Sequence, residues 1–217
     1  MRIRAMRSLR ILVALVLAGA TSRSAPAGAQ TASPAANPSA VNPETVARPV
    51  MHATRTTRPI VMDGRLDEPA WELAPVLSNF VQQLPETGLP ATFRTDVRVL
   101  YDDDHLYVAA INYDPAPQKA ITVGLERDFV STNSDIFGVA LDTFHDKRNS
   151  FLFLVNPKGA VRDEQTFNDS RNIVEAWDGI HTVKVTQQDS SWTIEMKIPL
   201  KTLRFNAQHD PQTWGIN

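Results

Sequence analysis

Cysteine is absent from the 217-residue sequence, so disulfide bonds and thiolate metal sites are excluded. The sequence also lacks an apolar run long enough to cross a bilayer as a helix. Residues 11–20 form a run of 10 residues, whereas a helical span needs ~20. Repeats typical of solenoids and propellers, the nucleophile elbow of hydrolases and the paired histidines of zinc proteases are missing as well. The sequence therefore carries no signal of these classes.

The first 29 residues have the parts of a secretory signal. Arginines at positions 2, 4, 7 and 10 precede the apolar run. The small residues 27–29 fit a cleavage site that would leave Gln30 as the first mature residue, and residues 25–27 form a competing site. A membrane-anchoring helix is the alternative, but the apolar run is too short for it. We therefore predict a cleaved signal peptide and a location in the periplasm, at the outer membrane or outside the cell.

The net charge after cleavage excludes two classes of partner. Residues 1–29 hold five arginines and no acidic residue, so their removal changes the formal net charge from −2 to −7. An acidic exported protein is a poor ligand for nucleic acid or for anionic membrane surfaces. We therefore expect no nucleic-acid partner.

Residues 30–50 are rich in proline, alanine, serine and asparagine. Such a segment does not bury enough apolar surface to become ordered. We interpret it as a disordered linker rather than as a functional spacer, and we place the folded domain at residues 51–217. Because residues 213–217 begin a strand pattern that stops with the sequence, we expect this domain to be truncated at its C-terminal end.

The clearest secondary-structure pattern lies in residues 94–113. Residues 94–101 alternate between two faces, which is typical of a half-buried strand. Residues 106–113 are apolar on both faces, as expected for a strand inside a sheet or beneath a second layer. The aspartates at 102–104 predict the turn, because Asp side chains bond their own backbone. This hairpin predicts an all-β sandwich.

Short strand patterns at roughly ten-residue spacing follow, and they favour an antiparallel, jelly-roll-like β-sandwich. One short helix is predicted near the start of the domain, at residues 68–74, with Asp67 as N-cap and Pro69 in the first turn. The remaining predicted strands are residues 60–62, 80–84, 121–123, 135–142, 150–155, 160–165, 180–186, 191–198 and 213–217.

Four segments resemble family 9 carbohydrate-binding modules. IVMDGRLDEPAWELA (60–74) resembles the opening strand, Asp-Gly turn and helix start of that family, and VRVLYDDDHLYVAAINYD (97–114) its central hairpin. SWTIEMKIPLKTL (191–203) is similar to its late Trp-x-x-Glu strand, and TWGIN (213–217) to its closing strand. The four occur in the family's order across nearly the whole predicted domain.

The resemblance implies sugar binding, which needs an aromatic face for the C–H patch of a pyranose and polar partners for its hydroxyls. Trp177, in a polar loop, is the first candidate for the aromatic face. Trp71 is the second, and core packing is the alternative for its helical position. Trp192 and Trp214 lie on apolar strand faces and are expected in the core. The candidate polar partners are Arg127, Asp128, Asn133, Asp135 and Glu175, for which a solvated loop position is the alternative.

The resemblance also implies structural calcium, which takes six to eight oxygen ligands. The candidate ligands are Asp102, Asp104, Asp135 and Asp142. Their spacing matches no EF-hand loop, and a hairpin turn alone explains the aspartates at 102–104.

Residues 135–164 resemble a subgroup of exported bacterial proteins in which this module precedes a region like an outer-membrane β-barrel. The predicted function is non-catalytic carbohydrate binding, associated with carbohydrate catabolism and with glycoside hydrolases that act on O-glycosyl bonds. One alternative is a periplasmic docking domain of an outer-membrane barrel protein without a sugar site. Another is a glycosidase fragment, which would need two carboxylates facing each other across a cleft.

Overall fold

The computed structural model describes residues 9–13 and 50–217. A four-residue helix, α1 (Pro69–Glu72), and two 3-10 turns, Pro117–Lys119 and Leu200–Thr202, accompany the strands. The strands are β1 (Leu9–Val13), β2 (Val50–His52), β3 (Thr54–Arg55), β4 (Thr95–Tyr101), β5 (His105–Tyr113), β6 (Phe137–Asp142), β7 (Ser150–Val155), β8 (Val161–Phe167), β9 (Asn172–Val174), β10 (Thr182–Gln187), β11 (Ser191–Pro199) and β12 (Gln212–Ile216). None of the helices in this described part is long and apolar enough to cross a membrane.

The strands form two sheets, which confirms the predicted β-sandwich. The larger sheet has the order β2-β1-β12-β6-β7-β8-β9, and the smaller one has the order β10-β11-β5-β4-β3. Most neighbours are antiparallel, and the pairs β1–β12 and β3–β4 are parallel. The two apolar inner faces pack on each other, as in other sandwiches.

The predicted central hairpin is present as β4 and β5, with Val99 opposite Val108. The inner face of β5 contributes Leu106, Val108 and Ala110 to the core between the sheets. Its outer face is covered by α1 and neighbouring residues, which bury Tyr107 and Ala109 in a second cluster. This second layer is why β5 is apolar on both faces.

Three predicted strands are wrong. Residues 60–62 and 121–123 form no ladder, and residues 80–84 hold a single bridge, between Val81 and Pro90. At residue 61 the backbone N–H donates to the Glu68 carboxylate rather than to a strand. Short apolar runs of this kind do not by themselves define a sheet partner.

The helix is shorter than the predicted 68–74, since α1 ends at Glu72. Pro75 disfavours the helical conformation of the residue before it, which limits the helix at this end. Four strands lie where none was predicted. β2 and β3 precede the first predicted strand, β9 lies in a segment interpreted as loop, and β1 falls in the predicted signal peptide.

Glu195 of β11 connects two of the four segments that carried the family resemblance, residues 60–74 and 191–203. Its fully buried carboxylate accepts hydrogen bonds from Trp71 Nε1 at 3.1 Å, the Asp63 N–H at 3.0 Å and the Gly64 N–H at 2.9 Å. Burial raises the pKa of the Glu195 carboxyl, and the three donors favour its ionised form. The Asp-Gly turn, the helix tryptophan and the Trp-x-x-Glu strand therefore meet at one buried group.

Candidate functional site

Trp177 is half-buried at the margin of the core between the sheets. Its ring centroid lies 5.1 Å from that of Phe151 and 5.8 Å from that of Phe153. A Cβ placed on Gly179 would lie 2.6 Å from the Trp177 ring, so the absence of a side chain there permits the close approach. The indole therefore packs against the core with one side.

Arg127, one of the predicted polar partners, lies near Trp177 among acidic residues that include Asp128. The Arg127 guanidinium pairs with the fully buried Asp163 carboxylate, with Asp178 at 3.0 Å and with Asp128 at 3.8 Å. Burial raises the pKa of Asp163, although the Gly179 N–H and Arg127 oppose that shift. These charges largely satisfy one another, so little hydrogen-bonding capacity is left for a sugar.

The other predicted polar partners lie in different surroundings. Glu175 pairs with Arg162 at 2.8 Å, and Arg162 also pairs with Glu164. Asn133 is exposed, with a φ of +63°. Trp71 is 2 % exposed, so its rings pack in the cluster beneath α1, which is the core alternative. Trp192 and Trp214 are buried, as predicted.

The four aspartates predicted as calcium ligands do not form one cluster in the described part of the chain. Asp135 binds the residue 121 N–H at 2.7 Å, and Asp142 binds the N–H groups of residues 146 and 147. Within residues 9–13 and 50–217, no three acidic or histidine side chains form a group that could hold a metal ion. These residues do not fit a common calcium site, and calcium binding stays a prediction.

Asp102 instead stabilises the β4–β5 turn. One carboxylate oxygen accepts the N–H groups of residues 104 and 105 at 2.8 and 2.7 Å, and the other accepts the Tyr107 hydroxyl at 2.7 Å. Burial tends to raise the pKa of Asp102, but these donors outweigh it and the pKa is lowered. Because the pKa of Asp102 is lower in the folded than in the unfolded protein, its ionised form stabilises the fold at pH values above the unfolded-state pKa. That contribution is lost as the pH falls through the folded-state pKa.

We expect Tyr107→Phe to raise the pKa of Asp102 and to lower the free energy of unfolding at pH 7 by about 1–2 kcal/mol. The loss of unfolding free energy should become smaller as Asp102 is protonated. Urea denaturation of the variant and the unaltered protein at pH 7 and pH 3 measures this change. Tyr113→Phe is the matched control, since its hydroxyl lies 3.5 Å from the Asp96 carboxylate. Equal deficits at both pH values would contradict this role.

A groove opens where β4 begins and β5 ends, and we call it the end groove. Its volume is about 460 Å³, within the range of small-molecule sites. A second cavity of about 80 Å³ shares part of its lining and continues between the sheets to Val97 and Val139. Its lining includes Phe93, Thr95, Asn112, Tyr113, Asp114 and Asp135.

Two aromatic rings of the end groove face solvent, since Phe93 is 48 % exposed and Tyr113 is 37 % exposed. The Arg94 guanidinium lies 5.2 Å from the centre of the Tyr113 ring and pairs with Asp96 at 2.6 Å. This stacking restrains the tyrosine ring. The groove thus offers aromatic surface that the core has not used.

Asn112 provides the polar counterpart. Its Oδ1 accepts the Thr95 hydroxyl at 3.3 Å, and its buried Nδ2 has no hydrogen-bond partner among the described residues. An unpaired buried amide nitrogen costs free energy unless a ligand or a water accepts from it. The groove therefore combines apolar faces with an unused donor, which is what a neutral polar ligand needs.

Sequence reasoning named Asp135 of this groove as a polar partner but missed Phe93, Asn112 and Tyr113. Phe93 lies outside any strand pattern, in a polar loop, and that isolated position was the available signal. Asn112 and Tyr113 end a strand and read as part of it. Their exposure depends on where the loops at residues 81–93 and 114–121 run, which the strand pattern does not encode.

Fold and groove together define a β-sandwich module with a candidate ligand site at one end of its sheets. The chain belongs to the carbohydrate family 9 binding domain-like family, whose family model matches residues 61–217. This confirms the family resemblance of the four segments. The subgroup with a barrel-like region stays a prediction. A search of curated proteins found no match.

Solved structures similar to this chain include a family 9 carbohydrate-binding module from Caldicellulosiruptor kristjanssonii. Its complex with glucose is 17 % identical, with a TM-score of 0.48, over 71 % of this chain and 70 % of that one. Its complex with cellotriose is 18 % identical, with a TM-score of 0.46, over 68 % and 66 %. A candidate carbohydrate-binding protein from Bacteroides uniformis is 10 % identical, with a TM-score of 0.54, over 73 % and 74 %. At 10 % identity, the likeness to the Bacteroides uniformis protein shows the fold alone.

Proposed function

We propose that this domain binds carbohydrate, without transforming it, in the end groove. Membership of the family supports the ligand class. The observation that carries the site is the unpartnered Asn112 Nδ2, buried beside the exposed rings of Phe93 and Tyr113. Stacking on an aromatic face and a hydrogen bond to an amide are the two interactions that a pyranose offers and requires.

In this proposal the apolar face of one sugar ring packs on Phe93, and a hydroxyl oxygen accepts from Asn112 Nδ2. Asp114 and Asp135 line the same groove and supply carboxylate oxygens that accept from sugar hydroxyls. Both carboxylates are positioned by bonds to backbone N–H groups, at 2.8 Å to residue 116 and 2.7 Å to residue 121. Pre-positioned polar groups limit the entropy lost on binding.

We expect Phe93→Ala and Asn112→Ala each to weaken binding about five- to twelvefold, since an aromatic stack or a hydrogen bond contributes about 1–1.5 kcal/mol. The measurement is isothermal titration of the variants with whichever member of a panel of mono- and oligosaccharides binds the unaltered protein. Phe144→Ala is the matched control, because Phe144 is 57 % exposed on the turn between β6 and β7.

Trp177→Ala distinguishes the two candidate platforms. Loss of binding in this variant, with Phe93→Ala unaffected, would move the site to the Arg127 cluster. No binding of any saccharide by the unaltered protein would contradict the proposed function. Release of reducing sugar would contradict its non-catalytic part.

We also propose export by the predicted signal peptide and an association with carbohydrate breakdown. The basic and apolar pattern of residues 1–29 supports the first, and the ligand class of the family supports the second. Cleavage after residue 29, checked by N-terminal sequencing of protein secreted by a bacterial host, tests the first.

A further inference from the structure

The cavity of about 80 Å³ that adjoins the end groove lies between the two sheets, and we call it the inner cavity. It shares Phe93, Thr95 and Asn112, among other residues, with the lining of the groove. Its remaining wall is mainly apolar and includes Leu77, Phe80, Val97, Phe137, Val139 and Ile216. A ligand in the end groove therefore has an apolar space directly beside it.

The size of the inner cavity limits what can enter it. A cavity of ~150 Å³ in a protein core takes benzene, which has twice as many non-hydrogen atoms as an acetyl group. A volume of about 80 Å³ therefore leaves room for a group of roughly three non-hydrogen atoms. The inner cavity fits a small substituent of a sugar and not a sugar ring.

Asn112 lies on the boundary between the two spaces, since it lines both of them. Its Nδ2 carries two N–H donors, and this buried nitrogen has no hydrogen-bond partner among the described residues. One donor serves the sugar hydroxyl in the function proposed above. The second donor remains for an acceptor at the mouth of the inner cavity.

A carbonyl group suits this position better than a hydroxyl group. A hydroxyl would need both a donor and an acceptor, whereas a carbonyl needs a donor alone. The donor is Asn112 Nδ2, and the oxygen of the same amide already accepts the Thr95 hydroxyl at 3.3 Å. Asn217 also lines the cavity, but it follows the buried Ile216, so strand alternation directs its side chain to the outer face of the larger sheet. The group that fits is a carbonyl next to a methyl, which is an acetyl group.

We propose that the end groove prefers acetylated saccharides, with the acetyl methyl in the inner cavity and the acetyl carbonyl oxygen bonded to Asn112 Nδ2. This inference rests on the proposed binding of carbohydrate in the end groove. One buried methyl and one hydrogen bond favour the acetylated sugar by about ten- to fiftyfold over the same sugar without the acetyl group. Acetyl amides and acetyl esters present the same carbonyl and methyl, so both belong to this ligand class.

Isothermal titration of the full chain with two sets of matched sugars tests the preference. The amide set is N-acetylglucosamine, glucose and N-benzoylglucosamine, and the ester set is acetylated xylo-oligosaccharides before and after alkaline deacetylation. We expect the acetylated sugar to bind about ten- to fiftyfold more tightly than its unacetylated counterpart in at least one set. The N-benzoyl sugar should bind no better than glucose, because its ring exceeds the inner cavity.

Val139→Leu reduces the inner cavity from its far end, because Val139 lines this cavity and not the end groove. The variant should keep its affinity for unacetylated sugars and lose at least about threefold of the acetyl preference, since the added carbon occupies space that the methyl needs. Val130→Leu is the matched control, because Val130 is exposed and lines neither space. The melting temperatures of both variants show whether the fold is retained.

Equal affinity for acetylated and unacetylated sugars, with loss of both in Phe93→Ala, would overturn this inference and leave the proposed function intact. N-benzoylglucosamine that binds as tightly as N-acetylglucosamine would overturn it without any variant, since the substituent would then lie outside the inner cavity. An acetyl preference that a folded Val139→Leu variant retains in full would do the same. Binding of no saccharide at all would remove the proposed function together with this inference.

Discussion

Glu195→Ala is expected to lower the free energy of unfolding by about 3–5 kcal/mol, which is a large part of the stability of a domain of this size. The substitution leaves the Trp71 indole N–H and the N–H groups of residues 63 and 64 without their acceptor. Two of these three bonds are buried, so water does not readily replace the carboxylate. Urea denaturation followed by tryptophan fluorescence measures the loss.

Two variants separate this role from general effects of charge. Glu72→Ala removes an exposed acid from α1 and should change stability by less than about 0.5 kcal/mol. Glu195→Gln keeps one acceptor oxygen and should lie between alanine and the unaltered protein. A loss below about 1 kcal/mol for Glu195→Ala would contradict the network as a stabilising unit.

The raised pKa of Glu195 adds a pH signature. Because burial raises the folded-state pKa above the unfolded value, the folded protein binds more protons in the window between the two. Stability contributed by this group therefore falls as the pH rises from the unfolded pKa to the folded one. Glu195→Gln does not titrate, so its stability relative to the unaltered protein should improve across that window.

Gly64→Ala is expected to destabilise the domain by about 2–4 kcal/mol for two reasons. Gly64 has a φ of +88°, a conformation that costs a non-glycine residue about 1–2 kcal/mol. A Cβ there would also lie 2.6 Å from Thr186 Oγ1 and 3.1 Å from the backbone carbon of Val185. The clash pushes the turn away from Glu195, which accepts the Gly64 N–H.

Gly159→Ala isolates the conformational part of this cost. Gly159 has a φ of +86°, but no atom lies within 4 Å of a Cβ placed on it. This control should therefore lose only about 1–2 kcal/mol. Thermal and urea unfolding of both variants give the comparison, and equal losses would show that the close approach of Thr186 has no energetic effect.

The fold was predictable because its strands are local patterns. In β4 polar and apolar residues alternate, and β5 is apolar on both faces. Both patterns follow because the sheet that holds these strands lies between the core and a second layer. The resemblance of four segments also pointed to residues that the structure brings together, since Trp71, Gly64 and Glu195 meet in one network. Sequence order gave the members of this network without showing that they touch.

The candidate site was less predictable. Trp177 stands alone in a polar loop, as an exposed ligand platform would, but its ring packs on Phe151 and Phe153. Phe93 and Tyr113 carry at most a weak sequence signal, because a phenylalanine in a loop and a tyrosine at a strand end are common. Their role as open surface arises only when two loops leave a groove between them.

Sequence alone determined the class of fold, the family of the domain and the main strands, because periodicity and turn chemistry are properties of neighbouring residues. Tertiary structure decided which aromatic rings stay open, which carboxylates are paired and where space is left between the sheets. These features result from contacts between segments far apart in sequence, and the free energy of such contacts depends on burial and geometry that no local pattern records.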